Sequence, residues 1–203
     1  MSAIEDLERR NETRFDEQTF VDFLDSLEPG FGWESGRWEL IDGLPIEMPP
    51  ATRRHGFIAQ NLERLLAAAL STAHPHLDAI REAGIRFEND PMFRPVADVI
   101  VFDVEKEASD GNDRFYETCR LIGEVMSTST RQYDLLQKRR RYTELPDCLH
   151  VLFIEQGRLY ARHWARSQGW AEAVYERPDD LIDLPEFGFA CHLKDLYART
   201  DLA

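Results

Sequence analysis

The chain has 203 residues, a length that predicts one domain with an extra arm, and its 43% hydrophobic and 11% aromatic content argues against wholesale disorder. Its 38 acidic side chains outnumber the 24 lysines and arginines, and the net charge of −14 argues against a protein that coats nucleic acid through bulk electrostatics. No apolar run approaches the roughly 18 residues of a membrane span, and the first residues lack a signal-peptide pattern, so a cytoplasmic protein is expected.

The acidic charge is concentrated at the beginning of the chain, where residues 1–28 carry nine carboxylates and three arginines. An amphipathic helix is predicted there from four apolar residues at helical spacing, Phe20, Phe23, Leu24 and Leu27. Pro29 and Gly30 are expected to end it. We assign residues 1–35 to an acidic helical arm and residues 36–203 to the main domain.

The rest of the chain mixes helical and strand patterns. Asp42 and Gly43 predict a hairpin turn. Helices are predicted at residues 53–73, 131–145 and 192–198, and strands at 78–88, 96–102, 121–126, 148–154, 158–165 and 170–175. This order predicts an α/β or mixed α+β fold.

Three distant cysteines are the only thiols of the chain: Cys119, Cys148 and Cys191. Their odd number and the lack of a CxxC pair argue against a disulfide framework and a zinc ribbon. We therefore expect three reduced and mostly buried thiols.

Two acidic residues interrupt strands that are otherwise apolar. Asp98 lies in the sequence VADVIVF and Glu124 in LIGEVM. An ionised carboxylate in a buried strand is costly unless it has a partner, and two such groups repel each other unless a cation lies between them. A hard divalent ion would meet that need. The alternative is that each acid pairs with an arginine or caps a loop.

Lys138 lies within the apolar stripe of the helix predicted at residues 131–145, on the same side as Tyr142 and Leu145. An inward lysine needs a counter-charge, and Glu124 at the end of the preceding strand can provide it. The alternative is a lysine that snorkels to the rim of the stripe. The segment 131–141 is also the most cationic of the chain, which is typical of a solvated face but also suits phosphate binding beside a carboxylate pair.

Six short motifs in this order resemble the Uma2-type (DUF820) family, a branch of the PD-(D/E)XK restriction-endonuclease-like superfamily. They are WELIDG at 38–43, RH at 54–55, ADVIV at 97–101, GEVMSTST at 123–130, YD, KR and Y at 133–142, and GFA with LKDLY at 188–197. The resemblance covers residues 36–198, nearly everything except the acidic arm.

The resemblance implies a central mixed β-sheet flanked by helices and metal-dependent hydrolysis of phosphodiester bonds. Asp98 and Glu124 would be ligands of Mg²⁺ or Mn²⁺. The superfamily's usual lysine position, two residues after the glutamate, is Met126 here, which makes Lys138 the candidate for the catalytic lysine. Glu39 and His55 match further family positions and would lie at the rim of the same site.

The sequence therefore favours a metal-dependent DNA endonuclease with the catalytic set Asp98, Glu124, Lys138, Glu39 and His55. A non-catalytic interaction or dimerisation protein that retains the nuclease fold is the alternative, which the acidic charge supports. RNA or nucleotides as substrates stay open. A homodimer would provide one site for each DNA strand, although no sequence feature predicts it.

Overall fold

The structure of the protein is a computed structural model that describes residues 14–27, 37–107, 111–126 and 132–203, without the side chains of residues 132–135. The chain divides into two compact units. The first contains Met1–Pro50 and Gly84–Val96, and the second contains Ala51–Ala83 and Ala97–Ala203.

The first unit contains the predicted N-terminal helix and the predicted hairpin. Helix α1 (Glu17–Ser26) begins at Asp16, whose side chain accepts a hydrogen bond from the Thr19 amide. Strands β1 (Arg37–Ile41) and β2 (Leu44–Met48) pair antiparallel. Asp42 and Gly43 join them with φ angles of +51° and +77°. Both prefer the left-handed region more than most residues do, so the two-residue turn forms here without strain.

An ion-pair cluster stabilises the described part of this unit. Glu17 contacts both Arg86 and Arg94, and it bonds Arg86 Nη2 at 2.9 Å. These two guanidinium groups are among the causes that lower the pKa of Glu17. The buried Arg94 also donates to the carbonyl groups of Asp90 and Phe93, so its charge is surrounded by acceptors.

The remaining elements follow in chain order. They are α2 (Arg53–Ala73), β3 (Leu77–Ile85), β4 (Val96–Asp103), β5 (Phe115–Tyr116), β6 (Leu121–Met126), α3 (Gln132–Glu144), β7 (His150–Glu155), β8 (Ala161–Ala165), β9 (Glu172–Tyr175), β10 (Leu181–Leu184), β11 (Phe189–His192) and α4 (Leu193–Leu196).

A seven-stranded sheet forms the centre of the second unit, with the strand order β5-β3-β4-β6-β7-β8-β9. β6 and β7 are parallel, and α3 provides the long connection that a parallel pair requires. β6 pairs antiparallel with β4, and β8 pairs antiparallel with β7 and β9. The sheet is therefore mixed, which confirms the predicted fold class.

Helix α2 covers one face of this sheet. Ile58, Leu62, Leu66 and Leu70 are fully buried on it, together with strand residues such as Val99. Gly123 of β6 lies directly beneath the helix: a Cβ at this position would be 2.7 Å from Cδ2 of Leu62. The absence of a side chain at Gly123 therefore lets helix and sheet approach closely.

The predicted elements are confirmed with boundary shifts of a few residues. The strand predicted at 78–88 ends at Ile85, and the N-terminal helix ends at Ser26. The short strands β5, β10 and β11 were not predicted. Pro29, Gly30 and the predicted boundary at residue 35 lie outside the described residues, so the division into arm and main domain stays a prediction.

All three cysteines are buried and free of disulfides, as predicted. Burial raises the pKa of the Cys148 and Cys191 thiols to about 12. Within the described ranges, no helix combines the length and the apolar character that crossing a bilayer requires.

Candidate active site

Asp98 and Glu124 lie at opposite positions on two neighbouring antiparallel strands. In the antiparallel pair of β4 and β6, Val99 lies opposite Gly123. One step further along the same register, the next residues are Asp98 and Glu124. Residues at opposite positions of an antiparallel pair have Cβ atoms about 5 Å apart. Both acids are buried, with 5% and 8% exposure.

Asp98 is held by one side chain and one backbone group. The Val125 amide donates to Oδ2 at 2.7 Å, and Nε2 of His55 lies 2.9 Å from Oδ1. The position of His55 is fixed at the beginning of helix α2, because the Thr52 hydroxyl caps the helix by accepting a hydrogen bond from the His55 amide.

Helix α3 contributes two side-chain contacts to Glu124. The Tyr142 hydroxyl donates to Oε1 at 2.6 Å, and Nζ of Lys138 lies 3.7 Å from the same oxygen. Lys138 and Tyr142 are four residues apart, so they project from the same face of the helix. Lys138 is thus turned towards Glu124, as the helical periodicity predicted, with 17% of its side chain exposed.

Tyr142 also contacts the site, although its sequence pattern did not predict this contact. Its apolar character and its position on the stripe predicted a core residue, and it is indeed fully buried. Its hydroxyl nevertheless reaches a buried carboxylate oxygen. The signals in the sequence were its spacing of four residues from Lys138 and its place in the motif that resembles the Uma2-type family.

Glu39 belongs to the first unit. It lies on β1, is 6% exposed, and its Oε2 is 3.5 Å from the Val96 amide. Its predicted place at the rim of the site stays a prediction.

The second unit therefore brings together four of the five predicted site residues: Asp98, Glu124, Lys138 and His55. Lys138 brings a positive charge to Glu124, and His55 adds positive charge beside Asp98 only when it is protonated. This arrangement favours a further cation over a third anion, because neighbouring carboxylates repel each other.

The donor set fits a magnesium ion. Mg²⁺ is commonly bound by one or two carboxylates and completes its shell with water and phosphate oxygens. Among the described residues no group of three or more His, Cys, Asp or Glu side chains is arranged to hold an ion. Asp98 and Glu124 would therefore supply two ligands of an open shell, not a closed protein cage.

Comparisons with known proteins agree with this architecture. A model of the Uma2 family, described as "Putative restriction endonuclease", matches residues 22–194. A crystal structure from Anabaena variabilis ATCC 29413, described as a "putative nuclease belonging to DUF820", is similar in fold, with a TM-score of 0.70. At 17% identity, the similarity covers 91% of this chain and 98% of that one. No curated protein matches the chain.

Proposed function

The chain belongs to the Uma2 family, described as "Putative restriction endonuclease", and from this premise we propose that it is a metal-dependent endonuclease that hydrolyses phosphodiester bonds in DNA. The observation that carries the proposal is the approach of Lys138 to Glu124, at 3.7 Å, on the strand next to Asp98. Two buried acids can hold a divalent ion, and one amine can stabilise the charge that develops on the phosphoryl oxygens during hydrolysis of a phosphodiester.

Asp98 and Glu124 would hold the divalent ion, Mg²⁺ or Mn²⁺. When bound, the ion supplies Lewis-acid polarisation of the phosphoryl group and lowers the pKa of the attacking water. The contacts of the two acids support this role, because His55 and the Val125 amide orient Asp98 while Tyr142 orients Glu124. Fixed ligands pay no reorganisation cost when the substrate arrives.

Lys138 would stabilise the negative charge that develops on the phosphoryl oxygens. Its ammonium group is already directed into the site by helix α3, so its charge needs no reorientation. In the reaction a water oxygen forms the new bond to phosphorus, the bond to the leaving sugar oxygen breaks, and that oxygen takes up a proton. His55 would donate to a phosphate oxygen, and a role of Glu39 in completing the metal shell stays a prediction from the family resemblance.

Plasmid nicking tests the proposal. We expect supercoiled DNA to be nicked in the presence of Mg²⁺ or Mn²⁺, and not in the presence of a chelator. Asp98→Ala should reduce the nicking rate by at least about 100-fold, as removal of a group that stabilises the transition state does. Asp103→Asn is the matched control, because Asp103 is a buried acid at the other end of the same strand.

Two outcomes would contradict the proposal. Nicking that persists in Asp98→Ala at the wild-type rate would remove the site. No cleavage by the folded wild-type chain of plasmid, single-stranded DNA or RNA with either ion would favour the alternative, an interaction protein that retains the nuclease fold.

A further inference from the structure

Two arginines flank one tryptophan on the sheet face that helix α3 covers. The guanidinium carbon of Arg139, from α3, lies 5.5 Å from the ring centroid of Trp164. That of Arg162, from β8, lies 5.4 Å from the same centroid. Phe153 supports the ring edge-on at 5.2 Å. We call Arg139, Arg162 and Trp164 the arginine–tryptophan cluster.

This cluster is aligned with the candidate site. Glu124 of β6 is registered with Phe153 of β7, and Phe153 with Arg162 of β8. These residues therefore form one row across the sheet, in which Glu124 and Arg162 are separated by two strand spacings, about 10 Å. Lys138 and Arg139 are consecutive on α3, so the same helix turn contributes to the candidate site and to the cluster. Lys138 approaches Glu124, and Arg139 lies over Trp164.

The cluster carries one more positive charge than its own acids neutralise. Arg162 donates to Glu172 at 3.4 Å. No hydrogen bond or ion pair joins Arg139 to any other residue within the described ranges, and its guanidinium group contacts the indole ring of Trp164. Its Nε is buried without a hydrogen-bond partner, and the side chain as a whole is only half-buried. A cation held in this way lacks an acceptor for its outward donors.

We propose that the arginine–tryptophan cluster binds the phosphodiester backbone of the nucleic-acid substrate beside the scissile phosphate. The proposal rests on the function proposed above and adds a substrate-binding subsite to it. Guanidinium groups match phosphate oxygens through paired donors, and the cation–π contacts with Trp164 hold both groups near one ring in advance. Phosphates of one strand follow every ~3.4 Å of duplex axis, so a span of about 10 Å lies within a few nucleotides of the cleaved bond.

The affinity for DNA and its salt dependence test this subsite. We would measure binding of a labelled short duplex by fluorescence anisotropy between about 50 and about 200 mM salt. All proteins carry Asp98→Asn and are kept in a chelator, so that turnover is suppressed and one repelling charge is removed. Arg139→Gln and Arg162→Gln remove charges from the cluster. Arg140→Gln is the matched control, since Arg140 is the next residue on α3, is 76% exposed and pairs with Glu144.

We expect Arg139→Gln to weaken binding about tenfold at the lowest salt and to reduce the slope of log K against log salt by about one. Arg162→Gln should act in the same direction, and Arg140→Gln should change neither quantity by a comparable amount. Arg139→Lys keeps the charge and should retain the salt slope. If Arg139→Gln loses its thermal unfolding transition, the slope of Arg162→Gln decides.

The outcomes separate this inference from the function on which it rests. If the parent protein binds DNA and the cluster variants match Arg140→Gln in affinity and slope, the subsite is wrong and the endonuclease proposal stands. If the parent and all variants fail to bind double-stranded or single-stranded DNA, the subsite is wrong, and plasmid nicking by the wild-type chain decides the endonuclease proposal separately.

Discussion

Two groups of polar side chains lie in the same sheet. Each belongs to a row of residues that are in register across β6 and β7, and the two rows are three residues apart along these strands. The row of Glu124 and Phe153 contains the candidate site, and the row of Leu121 and His150 leads to a histidine pair. Nδ1 of His150 lies 2.9 Å from Nε2 of His163, and the two rings are stacked. Both groups bury polar atoms in strands, but the cost of burying them is offset in different ways.

The histidine pair is neutralised, whereas the carboxylates of the candidate site are surrounded by donors. Burial, reinforced by the neighbouring His150, lowers the pKa of His163 to about 4, and burial also lowers the pKa of His150. In the part of the chain that the structure describes, the one acid in contact with the pair is Glu186, at 3.2 Å from His150. At the other row, Lys138 and Tyr142 converge on a single oxygen of Glu124. A buried polar residue alone therefore does not indicate function, and the charges that gather around it do.

The largest effect that tests this contrast is expected from Lys138→Met. The substitution keeps the length and packing of the side chain but removes the charge next to Glu124. We expect the nicking rate to fall about 100-fold or more, since removal of one transition-state donor has that effect. Lys106→Met, at a half-exposed lysine 3.9 Å from Asp147, is the control. A Lys138→Met protein as active as the control would show that Lys138 serves only to pair Glu124.

The histidine pair should make stability depend on pH. The unfolded chain protonates His163 near pH 6.5, and the folded chain does so only near pH 4, so the unfolded state binds more protons between these values. The contribution of His163 to the free energy of unfolding is therefore fully present above about pH 6.5. It decreases as the pH falls, and about 3 kcal/mol of it is lost at pH 4. His150 acts in the same direction, and Glu186, whose pKa is lowered in the folded state, adds its loss below its unfolded pKa.

Urea unfolding at several pH values measures this dependence. In His163→Gln the free energy of unfolding should decline less steeply between about pH 6.5 and pH 4. The slope should correspond to up to one fewer proton taken up on unfolding, because the variant lacks the histidine whose pKa is lowered most. An identical decline in the variant and the wild type would mean that the histidine pair is not neutral in the folded state, and the contrast between the two rows would fail.

A smaller effect is expected from Tyr142→Phe. Loss of the hydroxyl removes a buried donor to Glu124, which should cost about 1–2 kcal/mol in the free energy of unfolding and lower kcat about tenfold, with little change in KM. Tyr197→Phe is a matched control: Tyr197 is equally buried, and its hydroxyl donates to the Glu155 carbonyl at 2.6 Å. Both variants should lose stability, but only Tyr142→Phe should lose activity. Equal activity in both would assign Tyr142 to the core alone.

The sequence was sufficient for the strands that carry the site because their patterns are local. Alternation and apolar runs predicted β4 and β6, and each acid was visible as an interruption of a run. The orientation of Lys138 followed from the 3.6-residue period of the helix. Short elements such as β5 and β10 were missed, because two to four residues give too little periodicity to detect.

The partners of the acids were harder to predict because they depend on tertiary packing. His55 was matched to the site only through the family resemblance, and its contact with Asp98 joins residues 43 positions apart. The cluster around Trp164 depends on the register of β7 with β8, which the sequence alone does not specify. Tyr142 was predicted as a core residue because a buried tyrosine and a buried tyrosine that donates to an acid have the same local pattern.

Binding of Mn²⁺ is the measurement that tests the central claim most directly, since it reports the two carboxylates without reference to any substrate. Electron paramagnetic resonance titration of the full chain should show saturable binding of Mn²⁺, with competition by Mg²⁺. Asp98→Asn and Glu124→Gln should each weaken that binding at least about tenfold, the usual loss when a ligand or its support is removed, whereas Asp103→Asn should bind like the wild type. Equal affinity in the wild type, Asp98→Asn and Glu124→Gln would contradict the claim that these two acids form a divalent-cation site.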